Sequence, residues 1–178
     1  MPVAALLFTA ATVADGSGGE PGQLWSTWET FEPDKCASVW LIKRHIDPAA
    51  RFRFHPSGTP ITEGIPFDTP DAQLRRYHDA STFETLLRRY RPAAPGLDYL
   101  GRLLHDIEVN IWQRKALDES IPMAQALYTL TEGVPPVSAV ERCLDYFDRL
   151  VTDLSTAADP DQVGADRAQL ETRLKRLK

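Results

Sequence analysis

The spacing of apolar residues predicts short strands near the N-terminus and helices over the rest of the chain. Apolar and polar positions alternate in LWSTWETF (24–31) and in ARFRFHP (50–56), which predicts two strands. GIPFDTP (64–70) predicts a third short extended piece between glycine and prolines. From residue 81 onward apolar positions recur every three or four residues, as in amphipathic helices. We therefore predict a single, compact, mostly α-helical domain, or α+β with a small strand element near the N-terminus.

Start and stop signals set the predicted bounds of the first helices. Asp34 is the predicted N-cap of a helix that Asp47-Pro48 ends. Ser81 and Glu84 have the spacing of a capping box, in which each side chain accepts a hydrogen bond from the other residue's backbone N–H. This box predicts a helix over residues 81–90.

The remaining helices follow the same periodicity. They are predicted at about 95–112, about 119–132 and about 138–154, the last opening with a capping box from Ser138 to Glu141. A charged amphipathic helix is predicted at about 162–178. The chain then divides into an N-terminal extension (1–23), a domain (24–154) and an amphipathic tail (155–178). Seven large residues are predicted to be buried together: Trp40, Leu41, Phe83, Leu86, Leu100, Leu104 and Phe147.

Composition and charge narrow the class of protein. With 43% hydrophobic and 25% charged residues the chain reads as an ordinary globular protein, and its net charge of −5 argues against nucleic-acid binding. Residues 3–14 resemble a signal peptide only weakly because no basic segment precedes them, and no apolar run reaches the ~18 residues of a membrane span. We expect a cytoplasmic protein without a membrane partner. The arginines around the helix over 81–90 are predicted to be solvated: Arg75, Arg76, Arg88, Arg89 and Arg91.

The two cysteines lack the spacing of a metal or redox motif. Cys36 and Cys143 lie 107 positions apart. We interpret both as buried free thiols in a reducing compartment, with a disulfide as the minor alternative.

A histidine and a glutamate on one helix are the first candidates for metal ligands. His105 falls beside the apolar stripe of the helix over 95–112, and Glu108 follows three residues later, so both project from one side. Gly101, one turn earlier, leaves space beside the imidazole. Asp106 points roughly 100° away and is predicted to be solvated. A surface His–Glu pair without a metal is the alternative interpretation of this spacing.

His78 strengthens the metal hypothesis. It precedes the capped helix, beside Asp79, in a loop that could fold over the helix carrying His105. Two imidazoles and one carboxylate with an open position suit iron or manganese better than zinc. Further oxygen donors in the predicted set are Glu84 and Asp34, although both are already assigned to helix caps.

Several segments in order resemble the chromate-resistance protein family of the ChrB type. They are DKCASVWLIKRHIDPAARFRFHP, GIPFDTP, the histidine ahead of STFETLLRRY, LLHDIE and LDYFDRLV, which together span about residues 24–154. His45 stands where the family usually has phenylalanine, Cys36 is not a family cysteine, and residues 1–23 and 155–178 have no counterpart. The resemblance implies that the following positions are shared with the family: Asp34, Trp40, His78, Glu84, His105, Glu108 and Asp148.

Two hypotheses from different functional classes follow. The first is a metal-binding protein, and as an enzyme a non-haem iron or manganese oxidoreductase, with His78, His105 and Glu108 as ligands and a small-molecule or oxyanion substrate. The second is a chromate-responsive regulatory or interaction module without catalysis, because larger members of the family are linked to chromate sensing. Either is compatible with a homo-oligomer.

Overall fold

The computed structural model describes residues 22–155, so the predicted N-terminal segment and the predicted tail helix lie outside the described residues. Its strands are β1 (Leu24–Trp28), β2 (Arg51–His55) and β3 (Ile65–Pro66). Its helices are α1 (Pro33–Leu41, continued by a π-helical turn at Ile42–Ile46), α2 (Thr82–Tyr90), α3 (Leu97–Glu108), α4 (Ser120–Thr131) and α5 (Pro136–Ser155). This arrangement confirms the predicted mostly helical domain with a small strand element. None of the helices within 22–155 is long and apolar enough to cross a membrane.

The strands form one small parallel sheet in the order β2-β1-β3. Trp25 in the central strand pairs with Phe52 of β2 and with Ile65 of β3. The chain reaches β2 by way of α1, as a parallel pair requires. Gly64 precedes β3 with a φ of 73°, and a Cβ there would lie 2.6 Å from the Leu24 carbonyl oxygen, so glycine permits both the backbone conformation and the close approach.

Helix α1 runs through the centre of the domain. All nine of its residues are buried, and it packs against α2, α3, α4 and α5. The predicted core is confirmed, because all seven residues are at most 1% exposed and belong to one cluster: Trp40, Leu41, Phe83, Leu86, Leu100, Leu104 and Phe147. Asp34 and Lys35, in the first turn of α1, are consequently buried charged residues that need partners.

The prediction of free thiols is wrong. Cys36 of α1 and Cys143 of α5 are both fully buried, as predicted, but they form a disulfide with their Cα atoms 5.3 Å apart. The two positions are far apart in sequence, so only the packing of α1 against α5 brings them together.

Helix α3 ends at Glu108, four residues earlier than predicted. Asp106 explains the loop that follows, since its carboxylate accepts hydrogen bonds from the backbone N–H groups of Ala116 (3.0 Å) and Leu117 (3.1 Å) and from the Ser120 hydroxyl (2.6 Å). The prediction that Asp106 is solvated is therefore wrong: it is 2% exposed. Burial opposes its ionisation, but these hydrogen bonds outweigh burial and lower its pKa.

Helix α5 begins at Pro136, two residues before the predicted start. The carbonyl of Pro135 accepts the first helical hydrogen bond, from Ala139 N at 2.9 Å, and proline is favourable at a first helical position because it lacks an N–H. Ser138 lies inside the first turn, so the second predicted capping box is wrong.

Candidate functional site

Asp34 connects the start of α1 to the start of α2. Its carboxylate accepts hydrogen bonds from the backbone N–H groups of Thr82 (2.6 Å) and Phe83 (2.9 Å), at the positive end of α2. The prediction that Asp34 caps its own helix is wrong, because the N-cap of α1 is Glu32 and Pro33 follows it. The proline supplies the early start of α1, which frees the aspartate to cap the neighbouring helix.

Glu108, the last residue of α3, contacts the same junction between α1 and α2. One carboxylate oxygen accepts from the backbone N–H of Asp34 at 3.3 Å, and the other is hydrogen-bonded to the guanidinium of Arg76. Its side chain is 4% exposed. Burial raises the pKa of Glu108 to about 7, although the charge of Arg76 opposes this rise.

A buried ion pair lies beside this junction. The Lys35 ammonium group donates to the carbonyls of Trp28 (2.8 Å) and Thr30 (2.6 Å) and lies 3.6 Å from the Asp68 carboxylate. Asp68 also accepts from the Thr82 hydroxyl at 2.6 Å. Its φ of 51° is a left-handed conformation that is unfavourable for a residue with a side chain. Such strain is concentrated at functional positions.

Two adjacent openings lie over these charges and share Arg75 and Arg76. We call the first, a cavity of about 400 Å³, the arginine cleft; its charged walls are Glu32, Lys35, Asp68, Arg75 and Arg76. The second, of about 410 Å³, also contacts His78 and Glu108. Arg76 bridges Glu108 and Glu32, whose carboxylate lies 3.8 Å away. Arg75 donates to the Ala72 carbonyl at 2.9 Å and lies 4.5 Å from the centre of the Tyr77 ring.

Two carboxyl groups of this cluster have raised pKa values. Burial raises the pKa of Asp34, and the neighbouring Asp68 and Glu108 raise it further, against the two backbone hydrogen bonds. Burial also raises the pKa of Asp68, although Lys35 opposes it. Arg75 and Arg76 keep their charge at all relevant pH values. The cleft walls carry three basic side chains against two acidic ones, and groups with perturbed pKa values beside a cleft are typical of functional sites.

The two histidines of the predicted metal site contact different residues and differ in exposure. The side chain of His78 is 94% exposed, and its Nδ1 lies 3.9 Å from Asp79. His105 Nδ1 lies 3.0 Å from a Glu84 oxygen that also accepts from the backbone N–H of Ser81, so the first capping box is confirmed. A Cβ at Gly101 would lie 3.4 Å from Leu87 Cδ1 and 3.6 Å from Glu84 Cγ, which are ordinary van der Waals distances, so a side chain of alanine size would fit there.

The five predicted ligands therefore fall into separate groups. Asp34 and Glu108 lie together at the α1–α3 junction, Glu84 and His105 form a pair between α2 and α3, and His78 lies at the rim of the second opening. Within residues 22–155, no group of three or more histidine, cysteine, aspartate or glutamate side chains could hold a metal ion. The buried carboxylates of the predicted set instead accept hydrogen bonds from backbone N–H groups and, at Glu108, from Arg76. The metal centre stays a prediction that this geometry does not support.

Comparison with known proteins assigns the family. A family model described as "ChrB, C-terminal domain" matches residues 25–154. The chain belongs to this chromate-resistance family. It is also 31% identical over 90 residues to Protein ChrB of Cupriavidus metallidurans, an alignment that covers 49% of this chain and 28% of that relative. The chain thus spans well under half of the curated ChrB protein, and no solved structure matches it significantly.

Sequence reasoning missed three charged residues of this ChrB-type domain. Lys35 is predicted only as part of the segment DKCASVWLIKRHIDPAARFRFHP, and Asp68 only as part of the extended segment GIPFDTP. Arg76 is exposed, as predicted, with 43% of its side chain accessible, but the prediction did not include its ion pair with the buried Glu108. The available signal was Pro33-Asp34-Lys35 directly ahead of the apolar residues of the predicted helix, because it places a charged pair in the first turn of a buried helix.

The raised pKa of Glu108 predicts a specific dependence of stability on pH. The folded-state pKa is about 7 against 4.5 for the ordinary group, so the unfolded chain ionises first as pH rises. Through this group the free energy of unfolding should fall by up to about 3 kcal/mol between about pH 4.5 and 7. Urea denaturation at several pH values should show this slope, and Glu108→Gln, which keeps an acceptor for Asp34 and Arg76, should reduce it.

The matched control is Glu63→Gln. Glu63 lies just before β3, is ion-paired with Arg53, and has a side chain that is 45% exposed. This variant should keep the wild-type slope. An unchanged slope in Glu108→Gln would show that Glu108 ionises in the folded protein much as it does in the unfolded chain.

Proposed function

We propose that this ChrB-type domain binds a tetrahedral oxyanion of the chromate class in the arginine cleft. The observation that carries the proposal is the position of Arg76, which lies between the two openings and is held by the buried Glu108. Guanidinium groups bind oxyanions well because their fixed N–H donors match two oxygens at once. Arg75 in the same wall supplies a second guanidinium.

The remaining walls of the cleft support the same ligand class. The Lys35–Asp68 pair is anchored by two backbone carbonyls and by Thr82, so it fixes the shape of the cleft rather than its selectivity. Hydroxyl groups of Thr30 and Ser57, 2.7 Å apart, lie at the rim and can donate to an anion. Because Glu108 has a pKa of about 7, its protonation reduces the negative charge that competes for Arg76.

Titration calorimetry with chromate tests this proposal, with sulfate and molybdate as competitors. Arg76→Gln should weaken binding about 10–100-fold, the usual effect of losing a charge-assisted contact. The charge-matched control is Arg53→Gln, since Arg53 pairs with Glu63 on the surface away from the cleft walls, and it should bind as the wild type does. Sulfate, which stays doubly charged, should bind more tightly at about pH 6 than at about pH 8 because Glu108 is then protonated.

Repeating the titration in the presence of a metal chelator distinguishes this proposal from the metal hypothesis. Metal binding is the second candidate because Glu84 and His105, 3.0 Å apart, would supply one carboxylate and one imidazole, although the remaining ligands would have to come from elsewhere. Oxyanion binding in the arginine cleft should survive chelation. Loss of both chromate binding and bound iron or manganese on chelation would instead favour the metal-dependent function and contradict the proposal.

A further inference from the structure

A groove between α4 and α5 is separate from the arginine cleft. It encloses about 650 Å³, within the usual range of small-molecule sites. One wall is an apolar stripe on α4, made by Pro122, Ala126 and Leu130, which recur every four residues. The other wall is the α5 face that carries Arg142, Asp145, Tyr146 and Arg149, so two guanidinium groups face the groove against one carboxylate. The two walls run along each other because a short turn joins the helices, and Arg142 donates to the Leu130 carbonyl at 3.1 Å.

Tyr146 lines the groove and carries a hydroxyl that is available to donate a hydrogen bond. Its residue is 6% exposed, and its hydroxyl is buried without a hydrogen-bond partner in the part of the chain that the structure describes. Burial raises the pKa of this phenol, so the group stays a neutral donor. A buried hydroxyl without a partner costs about 1–3 kcal/mol, and an acceptor placed in the groove would remove that cost.

Arg149 supplies the charge at the same end of the groove. It follows Tyr146 by three positions, so the two side chains lie on one face of α5. Asp145 lies one turn earlier on the same wall but forms no ion pair with Arg149 among the described side chains, whereas Arg142 at the other end donates to the Leu130 carbonyl. The distance between the two arginines along the helix is about 10 Å. A ligand of that length could place an acidic head at Arg149 and an apolar body along the α4 stripe.

We infer that the α4–α5 groove is a binding site for an elongated amphipathic organic acid. Its carboxylate would accept hydrogen bonds from Arg149 and Tyr146, and its hydrocarbon chain would cover Ala126 and Leu130. This inference is independent of the arginine cleft, because the groove shares no lining residue with it.

Octanoate is a suitable probe because its extended chain is about as long as the groove, and 1-octanol is its uncharged counterpart. Calorimetric titration of the full chain should give saturable octanoate binding, at least about tenfold tighter than binding of octanol. Arg149→Gln should remove that preference, and Ala126→Phe should block both ligands by filling the groove. Arg102→Gln, a charge-matched change on the exposed side of α3, should leave the titration unchanged.

Tyr146→Phe provides a test that does not depend on the groove being blocked. It should weaken octanoate binding severalfold while leaving the thermal midpoint equal or higher, because it removes a buried donor without a partner. Absence of saturable binding, or equal affinity for octanoate and octanol, would overturn the inference. A change of oligomeric state in Ala126→Phe and Arg149→Gln without binding of either probe would also overturn it, since the groove would then be an interface between copies of the chain.

Discussion

Replacing Leu104 with alanine is expected to lower the free energy of unfolding by about 2–5 kcal/mol. Leu104 is fully buried on α3, in the cluster that includes Trp40, Phe83 and Phe147. The variant loses the transfer free energy of the side chain and leaves a cavity that the packed helices fill only partly. Urea denaturation at one pH measures the change directly.

Ile121→Ala is the control for this substitution. It removes a side chain of the same size from α4, but Ile121 is 54% exposed, so its cost should stay within about 0.5 kcal/mol. A similarly small cost at Leu104 would contradict the packing of α3 against α1 and α2.

Reducing the Cys36–Cys143 disulfide is expected to cost about 2–5 kcal/mol of stability. The bond joins residues 107 positions apart, so it restricts a long loop of the unfolded chain, for which the loop-entropy relation gives about 4–5 kcal/mol. It also connects α1, which carries Asp34 and Lys35, to α5. Denaturation with and without a reductant measures the difference.

The double variant Cys36→Ala, Cys143→Ala separates the disulfide from other effects of the reductant. Without reductant, this variant should already have the lower free energy of unfolding expected of the reduced wild-type protein. Adding reductant should not lower it further. A wild-type midpoint that stays constant while both thiols become titratable would show that the covalent link contributes nothing.

The fold was predictable from sequence because its signals are local. The alternation in β1 and β2, the capping box at Ser81, and the apolar periods of α2 to α5 depend on residues a few positions apart. Helix ends were less predictable where a distant group decides them. Asp106 ends α3 early by binding backbone groups ten and eleven residues further along the chain, and no local pattern records that.

The candidate site was predicted in part for the same reason. Asp34 and Glu108 were recognised, but as metal ligands, because spacing alone cannot show that Asp34 meets the N-terminus of α2, 48 residues away. Helical phasing correctly put Glu108 on the core side, where it is 5% exposed. Helical phasing could not indicate that the Arg76 guanidinium is hydrogen-bonded to the Glu108 carboxylate. The pairing of Cys36 with Cys143 likewise depends on how α1 packs against α5.

The most direct test of oxyanion binding in the arginine cleft is an anomalous diffraction map from crystals soaked in molybdate. The proposal predicts a molybdenum peak in the cleft, with ligand oxygens about 2.7–2.9 Å from guanidinium nitrogens of Arg75 or Arg76. The same soak of Arg76→Gln crystals should lack that peak. An empty cleft in the wild-type crystals, or a peak that persists unchanged in the variant, would contradict the proposed function.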